Sequence, residues 1–292
     1  MTRMKDTLLT ALAPAIWGST YLVTTQALPA DFPLTLAVLR ALPAGLLLLV
    51  ITRNLPSRVW IGRVFLLGAF NFAIFWSLLF VAAYRLPGGV AATLGATQTL
   101  IVLGLSRALL GTGIRPASVL AAFAGIGGVA LLVLGPQATL DPVGIAAGLG
   151  GAASMALGTV LSRKWQPPVP ALTFTAWQLT AGGLLLLPVA LVIEPTLPPL
   201  TPTNLAGLVW LGLVGAAVTY WLWFRGVARI ESGAVSMLGL MSPLTAVLLG
   251  WLWLDQALTP QQSIGAAILL ASVWLGQIAN LPQRFTNRKV TP

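Results

Sequence analysis

Apolar residues run along this chain in blocks of about 20, each closed by a charge or a Pro-rich stretch. A helix needs about 20 such residues to cross the hydrocarbon core of a bilayer. Dividing the chain at those stops predicts ten membrane helices, at 7–28, 34–52, 62–83, 88–110, 116–135, 143–163, 170–193, 204–225, 232–254 and 260–280. The joining segments are too short for a separate soluble domain. The N-terminal block has no small-residue cleavage site at the right distance, so it reads as a retained first helix. The fold class expected is therefore an all-α integral membrane protein.

Ten helices entered from the cytoplasm place Lys and Arg on a predictable side. The cytoplasmic ends would hold Arg3, Lys5, Arg53, Arg58, Arg63, Arg107, Arg115, Arg163, Lys164, Arg225, Arg229, Arg284, Arg288 and Lys289, which is 14 of the 16 basic residues. Arg85 is alone outside, and Arg40 lies within the second span. Asp31, Asp141, Glu194 and Asp255 fall on the outer side. The expected topology is N-in and C-in, with 281–292 as a cytoplasmic tail.

The blocks also repeat. Residues 60–135 align without a gap on 204–279 at an offset of 144, with 16 of 76 pairs identical; 7 of those are Leu pairs, which carry little weight. Rarer matches carry it: Phe80 with Phe224, Arg85 with Arg229, Gly89 with Gly233, Gly95 with Gly239, and Pro116 with Pro260. The first span matches the sixth at an offset near 140, pairing Gly18 with Gly158. The second matches the seventh at an offset near 138, pairing Arg40 with Gln178 and Gly45 with Gly183. Five spans per half is an odd number, so the second copy would enter from the opposite side. The expectation is two inverted five-helix repeats, over 7–135 and 143–280, a construction that suits two access states around a central site.

Composition narrows the chemistry. The chain is 57% hydrophobic and 8% charged, with no Cys and no His. The absence of those residues removes thiolate metal sites, disulfides and the usual acid–base switch near neutral pH. No catalytic residue, metal site or cofactor is expected, and the protein reads as a non-enzyme. The net charge of +10 comes without a basic cluster interleaved with aromatics, so no nucleic acid is expected as partner. The partners expected are the lipid bilayer and a small molecule, with the ten helices functional as a monomer.

The chain resembles the EamA-type members of the drug/metabolite transporter superfamily. The residues that carry the resemblance are Trp17-Gly18-Ser19, Arg40, Ser242-Pro243-Leu244 and the acidic exit Leu254-Asp255-Gln256-Ala257-Leu258-Thr259, followed by Gln262 and Gly265. Within the family it looks most similar to YddG-type exporters of aromatic amino acids. The resemblance implies export across a bacterial inner membrane, with the fifth and tenth spans peripheral. The chain departs from the pattern at Leu110-Gly111-Thr112-Gly113, where the first repeat has no acidic residue.

Candidate substrate contacts follow from polar and aromatic groups at depth. Arg40 lies about 9 Å inside the second span at 1.5 Å per residue; it either snorkels outward or meets a substrate carboxylate. Asn71 and Gln98 are costly against lipid and should face inward with partners. Trp17 and Ser19 sit mid-span, where the ring either stacks on a planar solute or packs on a neighbouring helix. The offset of 144 pairs Trp76 with Tyr220, Thr93 with Met237, Thr97 with Met241, and Gln98 with Ser242. Trp177 and Gln178 are the seventh span's counterparts, while Trp223, near a span end, reads as interfacial. Thr and Ser alternatively bond their own helix, and Met alternatively fills gaps. Gly89, Gly233 and Pro243 are candidate hinges or gates. All six acidic residues fall at helix ends or in loops. That favours facilitative transport or exchange over a proton-coupled multidrug or metabolite exporter of the same fold.

Overall fold

The computed structural model of the chain describes residues 2–86, 88–134, 141–254 and 257–280. Pro87, Asp255 and the expected tail at 281–292 lie outside the described residues. Within them every regular element is helical. The first half comprises α1 (Thr2–Ala27), α2 (Pro33–Thr52), α3 (Arg58–Gly68), a π-helical segment (Ala69–Ala73), α4 (Ile74–Arg85), α5 (Gly88–Ala96), α6 (Gln98–Leu110) and α7 (Pro116–Val133). The second comprises α8 (Pro142–Lys164), α9 (Ala171–Ile193), α10 (Pro202–Val209), a second π segment (Trp210–Val218), α11 (Thr219–Arg229), α12 (Ser232–Leu238), α13 (Met241–Trp253) and α14 (Pro260–Ala279).

Taking stacked segments as single spans, nine helices among the described residues are long and apolar enough to cross a membrane. The helix left over, α1, is 26 residues long. It is less apolar because Thr7, Thr10, Ser19, Thr20, Thr24 and Thr25 interrupt it. Prolines open α2, α7, α8, α10 and α14, where the missing N–H has no helical partner to lose. Capping boxes, Thr201 with Asn204 and Thr259 with Gln262, begin α10 and α14. Glu194, just past α9, accepts the Leu34 and Thr35 amides at 2.6 and 2.7 Å and so caps α2 as well.

Equivalent helices of the two halves meet face to face and antiparallel. A Cβ on Gly45 of α2 would lie 2.5 Å from the Thr180 amide of α9. One on Gly183 of α9 would lie 2.8–2.9 Å from Leu42 of α2. Stepping back along α2 is thus stepping forward along α9. The pair α7 and α14 behaves the same way, with Gly128 against Leu269 and Gly265 against Leu132. Both third spans of the halves contain a π segment, and both fourth spans break, at Thr97 and at Gly239–Leu240. Pro243 follows the second break directly, as the third residue of α13; it has no N–H for the Gly239 carbonyl four residues back, which accepts from the Ser242 amide at 3.1 Å instead.

The symmetry is not exact. Helices α6 and α8 pack on α12, and α8 packs on α11. Among the described residues the equivalent pairs (α13 with α5, α1 with α5, α1 with α4) make no comparable contact. Burial follows: Ser232 through Leu238 of α12 are all buried, whereas in α5 Val90, Ala91 and Ala96 are buried and Ala92, Thr93, Leu94 and Gly95 are half-buried. The α12 end of the bundle is sealed between the halves, and the other, where α5 packs on α8 around Val90, Ala91 and Ala147, is more loosely covered.

Candidate functional site

The two π segments and the two second spans build the middle of the molecule. A π turn admits one extra residue and displaces carbonyls from the i to i+4 ladder, and such turns recur at functional sites. In the second segment the Gly215 carbonyl accepts from Arg40 Nη2 at 2.6 Å and from the Thr219 hydroxyl at 2.8 Å. The Thr219 oxygen in turn accepts from Trp17 Nε1 at 2.8 Å. In the first segment Asn71 Nδ2 donates to Gln178 Oε1 at 2.8 Å and to Ser162 Oγ at 3.1 Å. These contacts are equivalent across the repeat, since Arg40 corresponds to Gln178 and Gly215 to Asn71. The same scaffold position carries a cation on a backbone carbonyl in one half and an amide on an amide in the other.

Aromatic rings fill the space between the two polar arrangements. Trp17 lies 4.8 Å from Tyr220 and 5.3 Å from Trp223, centroid to centroid. Phe72 lies 4.7 Å from Tyr220 and 5.3 Å from Trp76, both edge-on. The Arg40 guanidinium sits over the Trp76 ring at 5.3 Å. Its Nε is buried with no hydrogen-bond partner, as are Asn71 Oδ1, Gln178 Nε2 and the Thr159 hydroxyl. Buried donors and acceptors left open in this way are expensive in a protein interior, and those of Arg40, Asn71 and Gln178 belong to the two polar arrangements on either side of the rings.

The structure therefore brings together Trp17, Arg40, Asn71, Trp76, Gln178 and Tyr220 of the residues singled out by sequence. It adds Phe72, Ser162, the Gly215 carbonyl, Thr219 and Trp223. Trp223 corrects an expectation: it is buried against Trp17, not interfacial, because α11 runs on to Arg229 and leaves the ring well inside the helix. Other candidates lie elsewhere. Ser19 bonds the Ile16 carbonyl and accepts from the exposed Trp210. Trp177 donates to the Asn54 carbonyl at 2.6 Å and packs with Val64, Leu67 and Phe174 at a bundle end. Met237 is buried against Gly276 and Gly125, and Met241 joins the same apolar cluster. Thr93 of α5, Thr97 and Gln98 at the start of α6, and Ser242 of α13 are half-buried, with the Thr97 hydroxyl on the Leu94 carbonyl. Gly89 lies in the first turn of α5. Gly233 lies in the sealed end, where a Cβ would come within 2.8 Å of Leu103.

The sealed end carries its own polar contacts. Arg163, near the end of α8, donates to the Val227 and Ile230 carbonyls at 2.7 and 2.9 Å, closing the last turn of α11. Asp6 of α1 pairs with Arg225 at 2.6 Å and Arg229 at 3.2 Å. Thr10 fits closely against Gly226. A cavity of about 70 Å³ lies between Ser162, Phe174 and Phe224 at this end.

The profile of the EamA-like transporter family matches residues 5–134 and again residues 142–276. Protein PecM of Dickeya dadantii (strain 3937) is 45% identical over 282 residues, covering 96% of this chain and 94% of that one. The uncharacterized inner membrane transporter YedA of Escherichia coli (strain K12) is 28% identical over 242 residues, covering 80% and 78%. A protein known from a crystal structure superposes with a TM-score of 0.80 over 95% of this chain and 99% of that one, at 21% identity, which shows a shared fold.

Proposed function

The chain belongs to the EamA-like transporter family, and from that premise we propose that it exports small amphipathic metabolites, amino acids including aromatic ones among them, by alternating access. The family is one of membrane transporters and not of enzymes, and the protein is a multi-pass inner membrane protein. The observation that carries the finer reading is the half-broken symmetry. Two halves with antiparallel equivalent helices touch firmly at one end and loosely at the other, around a central ring cluster. Exchange of the tight and loose ends would present that cluster to the opposite side.

In this reading the chain crosses the membrane ten times, α1 included, with both ends in the cytoplasm. The repeats extend over 7–135 and 143–280 and are inverted, which the antiparallel pairing of α2 with α9 and of α7 with α14 supports. The sealed end is then cytoplasmic, and the conformation faces outward. Trp17, Arg40, Asn71, Trp76, Gln178 and Tyr220 hold the solute, while Thr93, Thr97, Gln98 and Ser242 line the loosely covered approach. A monomer suffices, because the central site is built within one chain. Transport is facilitative or by exchange, since none of the acidic side chains described at Asp6, Asp31, Asp141, Glu194 and Glu231 meets the central cluster.

Counterflow with purified protein in proteoliposomes tests this reading. Unlabelled tryptophan or phenylalanine inside should draw labelled substrate in, saturably, with no other protein present. Equal uptake by protein-free vesicles would remove the reading.

A further inference from the structure

Among the described residues the centre holds a cation without an anion. The Arg40 guanidinium lies eight residues into α2 and spends one donor on the Gly215 carbonyl and one face on Trp76, while its Nε finds nothing. The carboxylates that could neutralise it are committed elsewhere. Asp6 holds Arg225 and Arg229, Asp141 holds Arg85 and the Gly144 amide, and Glu194 holds the Leu34 and Thr35 amides. Asp31 is exposed beyond α1 and Glu231 precedes α12. Among the described residues no acidic side chain reaches Arg40. Its contacts are the Gly215 carbonyl and the buried ring of Trp76, which in turn meets the buried Tyr220.

Resting on the transporter reading above, we propose that the solute is an aromatic organic anion, whose oxyanion completes the half-bonded Arg40 while its ring packs against the cluster of Trp17, Trp76 and Tyr220. A guanidinium offers a planar fork matched to two carboxylate oxygens, and its bond to such an anion outcompetes its bond to a neutral carbonyl. An ammonium finds the reverse situation, with no carboxylate to meet and a fixed cation beside it. The expected order at one ring is therefore monoanion over zwitterion over cation. Binding an oxyanion also draws Arg40 from Gly215, which ties occupancy of the site to the π segment of the eighth span.

A driving force follows. A cell interior negative by 100 mV expels one negative charge with enough energy to hold about a 50-fold concentration ratio. Export of an anion then needs no proton relay, in keeping with a centre free of carboxylates. Zwitterion movement would gain nothing from the same potential.

The test uses three indoles of matched ring, indole-3-acetate, tryptophan and tryptamine, in proteoliposomes under a potassium–valinomycin potential. Protein-free vesicles serve as the blank. The expected result is saturable indole-3-acetate counterflow at least tenfold more efficient than that of tryptophan. Its distribution should follow the imposed potential, and tryptamine should not be carried. Arg40→Gln should cut indole-3-acetate transport tenfold or more, and Arg40→Lys should retain part of it, which separates charge loss from misfolding. Tryptophan carried as well as indole-3-acetate, or an Arg40→Gln variant that keeps the preference for the anion, would overturn the anion proposal and leave the transporter reading standing. No saturable counterflow of any of the three would overturn both.

Discussion

Asn71 and Gln178 stand for what a single side chain must do in this interior. Each leaves one polar atom open, and their mutual bond is what makes either tolerable away from water. Asn71→Leu should lower stability by roughly 1 kcal/mol, the scale of polar contacts between membrane helices. Adding Gln178→Leu should cost less than a second independent loss, a coupling that unfolding titrations of the four variants in bicelles would measure. These residues were legible in the sequence because an amide at mid-span has few places to go. Arg40, Trp17, Trp76 and Tyr220 were legible on similar grounds of depth or pairing. Phe72 and Thr219 were not, since a ring or hydroxyl within an apolar run carries no mark of the side it faces. Trp223 misled because α11 is one turn longer than its apolar block, and Met237 because its pairing with Thr93 says nothing of the Gly125 and Gly276 notches it fills.

At the scale of elements, the contact between α8 and α11 has no comparable counterpart in the other half among the described residues, and Arg163 supplies its polar part. The Val227 carbonyl of α11 and that of Ile230 just past it depend on that guanidinium. Arg163→Gln should therefore loosen the sealed end without touching the ring cluster. The chain has no Cys, so one introduced thiol reports without background. Ser236→Cys on α12 should react slowly with a water-soluble maleimide and about tenfold faster once Arg163 is replaced. An unchanged rate would mean that the seal does not rest on this clamp. The positions of the spans were readable because lipid demands continuous apolar length. The π segments were not, for a π turn adds one residue without altering hydrophobic composition. The break before α13 has a mark in the sequence, Pro243, whereas its counterpart at Thr97 has none.

For the whole molecule, the outward-facing reading predicts a difference between equivalent sites. Ala92→Cys, the counterpart of Ser236, should label readily from outside in intact cells, while Ser236→Cys is protected. Equal labelling would argue against an access asymmetry. A pH gradient imposed alone should produce no sustained accumulation of zwitterionic substrate; uphill uptake would call for a proton path through the centre. The correspondence of Arg40 with Gln178, and of Gly215 with Asn71, has a consequence for engineering. The scaffold treats the two half-sites as interchangeable, yet only one carries charge. The double exchange Arg40→Gln with Gln178→Arg would hand the cation to the opposite partner. The substrate affinities measured separately at the two faces in sidedness-controlled vesicles should then trade places, making the polarity of the carrier a property that two codons can reverse.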